Sequence, residues 1–108
     1  GLTTLVGYNF NPKTGNLLSL NDLFKSQSYI PYIKDYIITK INSQSDVYFD
    51  DATITVQSLK SFNNFYLTNN ELVIFFNQYD IAPYSSGIPE FKIPLKNLNI
   101  YLNPKYKS

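Results

Sequence analysis

Residues 65–93 read FYLTNNELVIFFNQYDIAPYSSGIPEFKI, and this stretch decides the architecture. Phe65, Tyr66 and Leu67 predict a strand, Asn69-Asn70 a tight turn, and residues 71–77 a second strand, because two short β-prone runs joined by turn-forming asparagines read as a hairpin. Asn is expected there for its tolerance of positive φ. Leu72-Val73-Ile74-Phe75-Phe76 has no polar alternation, so it predicts a central strand covered on both faces. A ten-residue loop, QYDIAPYSSG at residues 78–87, follows. Phe91 and Ile93 then alternate with Lys92 and predict a third strand.

Working outward, residues 2–10 (LTTLVGYNF) have strand composition. Asn11-Pro12-Lys13-Thr14-Gly15 is turn chemistry, and residues 16–18 are expected to form a returning strand. Ser19 followed by Asp22 predicts a capping box on a short helical turn through Phe24. Ile30, Ile33, Ile37 and Ile41 recur at the spacing of one helical face. Ser28 is expected as the cap and Pro31 fits the first turn, where a missing N–H costs nothing. Lys34, Asp35 and Lys40 are expected on the solvent side, with the helix fading at Asn42-Ser43. Residues 43–51 read as a polar loop pinned by Tyr48 and Phe49. Ile54 and Val56 alternate with Thr53, Thr55 and Gln57 and predict a strand, and Pro94 opens a last helical turn over residues 95–102. The expected class is α+β: a mostly antiparallel sheet with one main helix packed on a face, in a single domain.

Composition excludes several functions. Every basic residue is lysine, the net charge is +1, and the lysines are scattered. Nucleic-acid binding calls for a basic stripe, commonly with arginine forks, and neither is present. Cysteine and histidine are absent, which rules out thiolate and imidazole catalysis and zinc–thiolate sites. No metal or cofactor is expected. Thirteen asparagines and the all-lysine basic set fit codon bias in an AT-rich genome. No apolar run approaches the roughly 20 residues of a membrane-spanning helix, and no signal peptide is visible. The chain is expected to be a domain excised from a longer exported protein.

Catalysis would fall to carboxylates. Asp50-Asp51 are neighbours that an extended chain points to opposite faces, and they read better as loop polarity and a cap. Asp80 and Glu90 flank the loop, and a glycosidase-type pair would require them to converge. A binding role for the loop is the stronger expectation. Ala82 is held extended by Pro83, Gly87 permits unusual φ, and a stiffened loop loses less entropy on binding. Tyr79, Asp80, Pro83, Tyr84 and Ser85 are the candidate contact residues. The alternative for Tyr79 and Tyr84 is inward packing, since tyrosine suits cores and interfaces equally. Ten tyrosines also suggest sugar stacking, which the absence of tryptophan weakens.

Two blocks of sequence carry a family likeness. Thr14-Gly15-Asn16-Leu17-Leu18-Ser19-Leu20-Asn21-Asp22-Leu23-Phe24 resembles a T-G-x-x-x-S-L-x-D-L-F opening. The second block is Phe65-Tyr66-Leu67-Thr68, then residues 76–87 (FNQYDIAPYSSG), then Phe91-Lys92-Ile93-Pro94. Together they resemble the C-terminal domain of unknown function shared by RsiV-like anti-sigma factors and PdaC-like peptidoglycan deacetylases. The resemblance implies an extracytoplasmic module of the Gram-positive-type cell envelope that follows a companion N-terminal domain. In RsiV-like proteins the extracellular region binds lysozyme and gates proteolytic release of a sigma factor. In PdaC-like enzymes the metal site lies in a separate deacetylase domain, and this chain has no such constellation. The expected function is non-catalytic recognition of a protein, lysozyme among the candidates, or of a glycan. The alternative is a carbohydrate-binding accessory to a peptidoglycan enzyme. Contact with a membrane is expected only through segments outside this chain.

Overall fold

The computed structural model of the chain describes residues 19–106; the strand, turn and returning strand expected over residues 2–18 lie outside them. Three strands form an antiparallel sheet in the order β1-β2-β3: β1 (Phe65–Leu67), β2 (Glu71–Phe75) and β3 (Glu90–Pro94). Register places Phe65, Ile74 and Phe91 in one cross-strand row and Leu67, Leu72 and Ile93 in the next. Side chains alternate faces along a strand, so these six project from one side. Against that side lies α1 (Tyr29–Ser43), whose Ile33, Ile37 and Ile41 are buried with Leu72, Ile74, Phe91 and Ile93 in one core. Burying an isoleucine is worth about 1.5–3 kcal/mol, and this stripe supplies much of what holds helix to sheet. The α+β class and the single main helix on the sheet agree with the sequence.

β2 is buried on both faces. Val73 and Phe75 project from the side opposite the helix yet are as covered as Leu72 and Ile74. The Tyr66 ring lies beside Phe75, with centroids 6.3 Å apart. A strand without polar alternation thus takes the middle of the sheet, as its composition requires.

Two expectations are corrected. Residues 53–57 are not a strand: Ala52–Ser58 is a second helix, α2. In a strand Ile54 and Val56 would share a face. Instead Ala52 and Val56, four apart, are fully buried while Ile54 is 70% exposed. The demand for helical burial overrides the β preference of Thr53, Ile54 and Val56. Lys34 lies at the margin of the solvent face, and its Nζ also donates to the Gln57 carbonyl at 2.8 Å in an exposed hydrogen bond, placing a cation at the C-terminal end of α2, where the helix dipole favours one. Pro94 ends β3 and opens a helical turn as expected, but that turn is a 3-10 segment of Leu95–Leu98 and does not run to residue 102.

The caps and turns differ in detail. Ser28 has helical backbone angles and no capping hydrogen bond; its hydroxyl lies 3.0 Å from that of Ser26. Asp22 does act as expected, accepting from the Ser19 N–H at 3.0 Å, although the turn it caps is the 3-10 segment Leu20–Leu23. The hairpin does not use positive φ at Asn69 or Asn70. The Thr68 hydroxyl instead accepts from the Asn70 and Glu71 N–H groups at 3.3 and 3.0 Å, a side chain standing in for a backbone turn. Phe49 pins its loop through its backbone, with the ring at the surface, whereas the Tyr48 ring stacks on Phe91 at 6.1 Å.

Near the two ends of the described chain, Phe24 pairs antiparallel with Leu102. Lys25 N–H donates to the Tyr101 carbonyl at 2.9 Å and Asn103 N–H to the Leu23 carbonyl at 2.8 Å. Beneath this clasp Phe24 stacks on Tyr29, centroids 3.8 Å apart. The buried Tyr29 hydroxyl donates to Asn21 Oδ1, so its polar group is satisfied.

The two isoleucine environments give a direct check. Ile37→Ala should cost about 2–5 kcal/mol, as deletions at fully buried positions do. Ile54→Ala should change stability by less than about 0.5 kcal/mol, as surface substitutions do. Urea denaturation followed by circular dichroism reads both; a large loss at Ile54 would contradict the outward face of α2.

Candidate functional site

The loop after β2 is closed at its base by the Phe76 N–H, which donates to the Pro89 carbonyl at 3.0 Å. Just above, the Phe76 ring meets Phe91 edge-on at 5.8 Å. The chain then turns sharply. Asp80 N–H donates to the Asn77 carbonyl at 3.2 Å, and the Asp80 carboxylate accepts from the Asn77 N–H at 3.1 Å. Tyr79 is the third residue of this turn and has φ +71°. That position ordinarily calls for Gly or Asn, since a Cβ makes left-handed backbone costlier by about 1–2 kcal/mol. Its ring is nevertheless displayed, 64% exposed.

The next two residues reverse direction. Ile81 and Ala82 are buried, and the Ile81 carbonyl accepts from the Phe49 N–H at 2.9 Å. This bond joins the loop to the segment between α1 and α2. Pro83 is half-buried and leads into the 3-10 turn Tyr84–Ser86, where Ser86 N–H donates to the Pro83 carbonyl at 3.0 Å. Gly87 follows at φ +75°. The site is therefore an exposed turn at Tyr79-Asp80, an anchor at Ile81-Ala82, and a second turn with Ser85 exposed.

Of the expected contact residues, Tyr79, Asp80 and Ser85 lie on the surface, Pro83 at its margin, and Tyr84 begins the second turn. Tyr79 does not pack inward. Sequence reasoning missed the Phe49–Ile81 link and the exposed Val47 and Phe49 that the same segment carries. A backbone hydrogen bond between distant loops leaves no mark in either sequence.

The two carboxylates flanking the loop serve separate partners. Asp80 closes its own turn and borders a recess with Phe62 and Ile74. Glu90 accepts from the Tyr66 hydroxyl at 2.8 Å and borders another recess, with Tyr36 and Lys40. Burial, and after it the hydrogen bond and the charge of Glu90, push the Tyr66 phenol up from its ordinary 10 to about 12. Burial likewise raises Tyr29, Tyr36 and Tyr48. Among the described residues no three acidic side chains gather as metal ligands would, and no helix is long and apolar enough to cross a membrane.

A family model described as protein of unknown function (DUF3298) matches residues 21–96. The chain belongs to the DUF3298 family. Anti-sigma-V factor RsiV of Bacillus subtilis (strain 168) is 32% identical over 90 residues, covering 76% of this chain and 32% of RsiV. A crystal structure of a DUF3298 family member from Bacteroides fragilis NCTC 9343 superposes with a TM-score of 0.57 at 26% identity, covering 82% of this chain and 36% of that one. A DUF3298 family protein from Pseudomonas aeruginosa PAO1 gives a TM-score of 0.62 at 22% identity over 91% of this chain and 46% of that one, a likeness of fold alone. The chain thus spans a third to a half of these relatives. They come from three bacterial genera.

Two outcomes follow from the loop geometry. Gly87→Ala should lose about 1–2 kcal/mol through left-handed strain, and Asp80→Ala about 1 kcal/mol through the lost turn bond, both read from denaturation midpoints. The raised Tyr66 phenol sets a pH dependence. Below pH 10 Tyr66 is protonated in both states; between 10 and about 12 the unfolded chain releases the proton while the folded one keeps it, so stability falls as pH rises through that window. Tyr66→Phe should fall less steeply there than the parent chain, and an identical slope would show that Tyr66 does not carry the effect.

Proposed function

We propose that this chain is a non-catalytic recognition domain of the bacterial cell envelope, exposed outside the cytoplasmic membrane, and that it binds a protein partner through the loop after β2. Tyr79, Asp80, Pro83, Tyr84 and Ser85 form the contact surface. The observation that carries this is Tyr79, a large ring kept 64% exposed on backbone that disfavours any side chain. A glycine would fit that turn with less strain, and strain kept at an exposed aromatic points to use rather than folding. Tyrosine offers a partner broad contact area and a hydroxyl at low entropic cost. The buried Ile81 and Ala82 hold the turn in place before a partner arrives, which lowers the cost of association.

Likeness to an anti-sigma factor supports regulation by a ligand over catalysis. So does the arrangement of acids, in which Asp80 and Glu90 each serve a structural partner. In this reading the full-length protein carries a companion domain, and C-type lysozyme is the first protein ligand to try. Isothermal calorimetry of the chain with C-type lysozyme should show saturable binding, weakened about tenfold or more by Tyr79→Ala, as an interface hot spot would be, and likewise by Tyr84→Ala. Binding that survives both substitutions unchanged would remove the loop from the contact surface. No detectable heat would remove lysozyme as the partner.

A further inference from the structure

At the end of the sheet opposite the loop, a groove of about 810 Å³ runs between the β1–β2 turn and the segment after β3. Its volume falls in the range of small-molecule sites, about 300–1,000 Å³. The groove brings together residues far apart in sequence. Asn69 and Asn70 come from the turn, Lys96 and Asn99 from the segment after β3, and Tyr106 from near the end of the described chain. The Leu95 N–H donates to the Asn70 carbonyl at 2.9 Å, which fixes the two walls relative to each other. Leu95 and Tyr106 are half-buried against the core and give the groove an apolar floor.

Three asparagine side chains of this groove keep their hydrogen-bonding capacity. Among the described residues, no hydrogen bond engages the side-chain amides of Asn69, Asn70 or Asn99. The turn is closed by Thr68 instead, so neither turn asparagine is required for its shape. Each free amide offers both a carbonyl acceptor and an NH₂ donor. The lining carries one cation, Lys96, and one anion, Glu71, so it selects for no net charge. Three donor–acceptor amides above an apolar floor, without a dominant charge, match one ligand chemistry well. A sugar presents adjacent hydroxyls that both donate and accept around its rim, and a C–H face that packs on apolar surface.

We propose that this groove is a binding site for a neutral oligosaccharide, held by Asn69, Asn70 and Asn99 against Leu95 and Tyr106. It shares no residue with the loop and stands at the other end of β2, so the protein surface and the sugar site can fail independently.

The test is a titration of the intact isotopically labelled chain with chitotetraose and, separately, cellotetraose, followed by the side-chain amide signals in heteronuclear NMR spectra. Saturable shifts at the three asparagines are expected with at least one sugar. Binding of chitotetraose alone would assign recognition to the acetamido groups, and equal binding of both would assign it to the ring hydroxyls. The double variant Asn70→Ala/Asn99→Ala should raise Kd about tenfold, equivalent to losing one or two hydrogen bonds. Its unchanged backbone spectrum would show that the fold is kept. Tyr79→Ala should leave the titration unaltered. Absence of saturable shifts with both sugars, shifts confined to residues 78–87, or full affinity in the double variant would overturn the proposal.

Discussion

The structure depends on burying β2 from both sides. A strand flanked by β1 and β3 satisfies its backbone through its neighbours, and Leu72, Val73, Ile74 and Phe75 are then free to be apolar on each face. One face receives the isoleucine stripe of α1. The other takes the Tyr66 ring, with Glu90 fastening its hydroxyl. Tyr36 reaches across from the helix to the Lys92 carbonyl at 2.7 Å and ties α1 to β3, while Lys40 sits 5.6 Å over the Tyr36 ring. With the middle fixed, the two ends of the sheet carry the tyrosine loop and the asparagine-lined groove. Rigid elements presenting loops at their ends are a common arrangement for binding.

What could be read in the sequence was whatever a single period or residue type dictates. The isoleucines of α1 could serve nothing but a helical face, and an unbroken apolar run could only be an interior strand. The family blocks were equally plain, and DUF3298 membership agrees with them. Asp22 announced its turn because a carboxylate three residues after a serine has few other local uses.

The failures have a shared cause: local pattern was compatible with two answers and tertiary contact chose. Residues 53–57 alternate like a strand, but the same residues place Ala52 and Val56 on one helical face, and α1 was there to receive them. Asn69-Asn70 suggested a turn with positive φ, yet the neighbouring Thr68 hydroxyl supplied a cheaper closure. In the loop, Pro83 and Gly87 were legible as stiffeners. The positive φ at Tyr79 was not, because tyrosine carries no signal for it. Nothing in the sequence brings Asn69 and Asn99 to one groove; only the register of β2 with β3 does that.

The clasp between Phe24 and Leu102 has a mechanical consequence. Antiparallel pairing sets Leu23 beside Asn103, so the described chain enters and leaves the clasp on the same side. Tension between them loads the Asn103–Leu23 and Lys25–Tyr101 hydrogen bonds one after the other, as in a zipper. Bonds loaded in turn yield at lower force than bonds sheared together. A pull applied between Leu23 and Asn103 would therefore open this seam and unseat Phe24 from Tyr29 while the sheet, outside the line of force, stays whole.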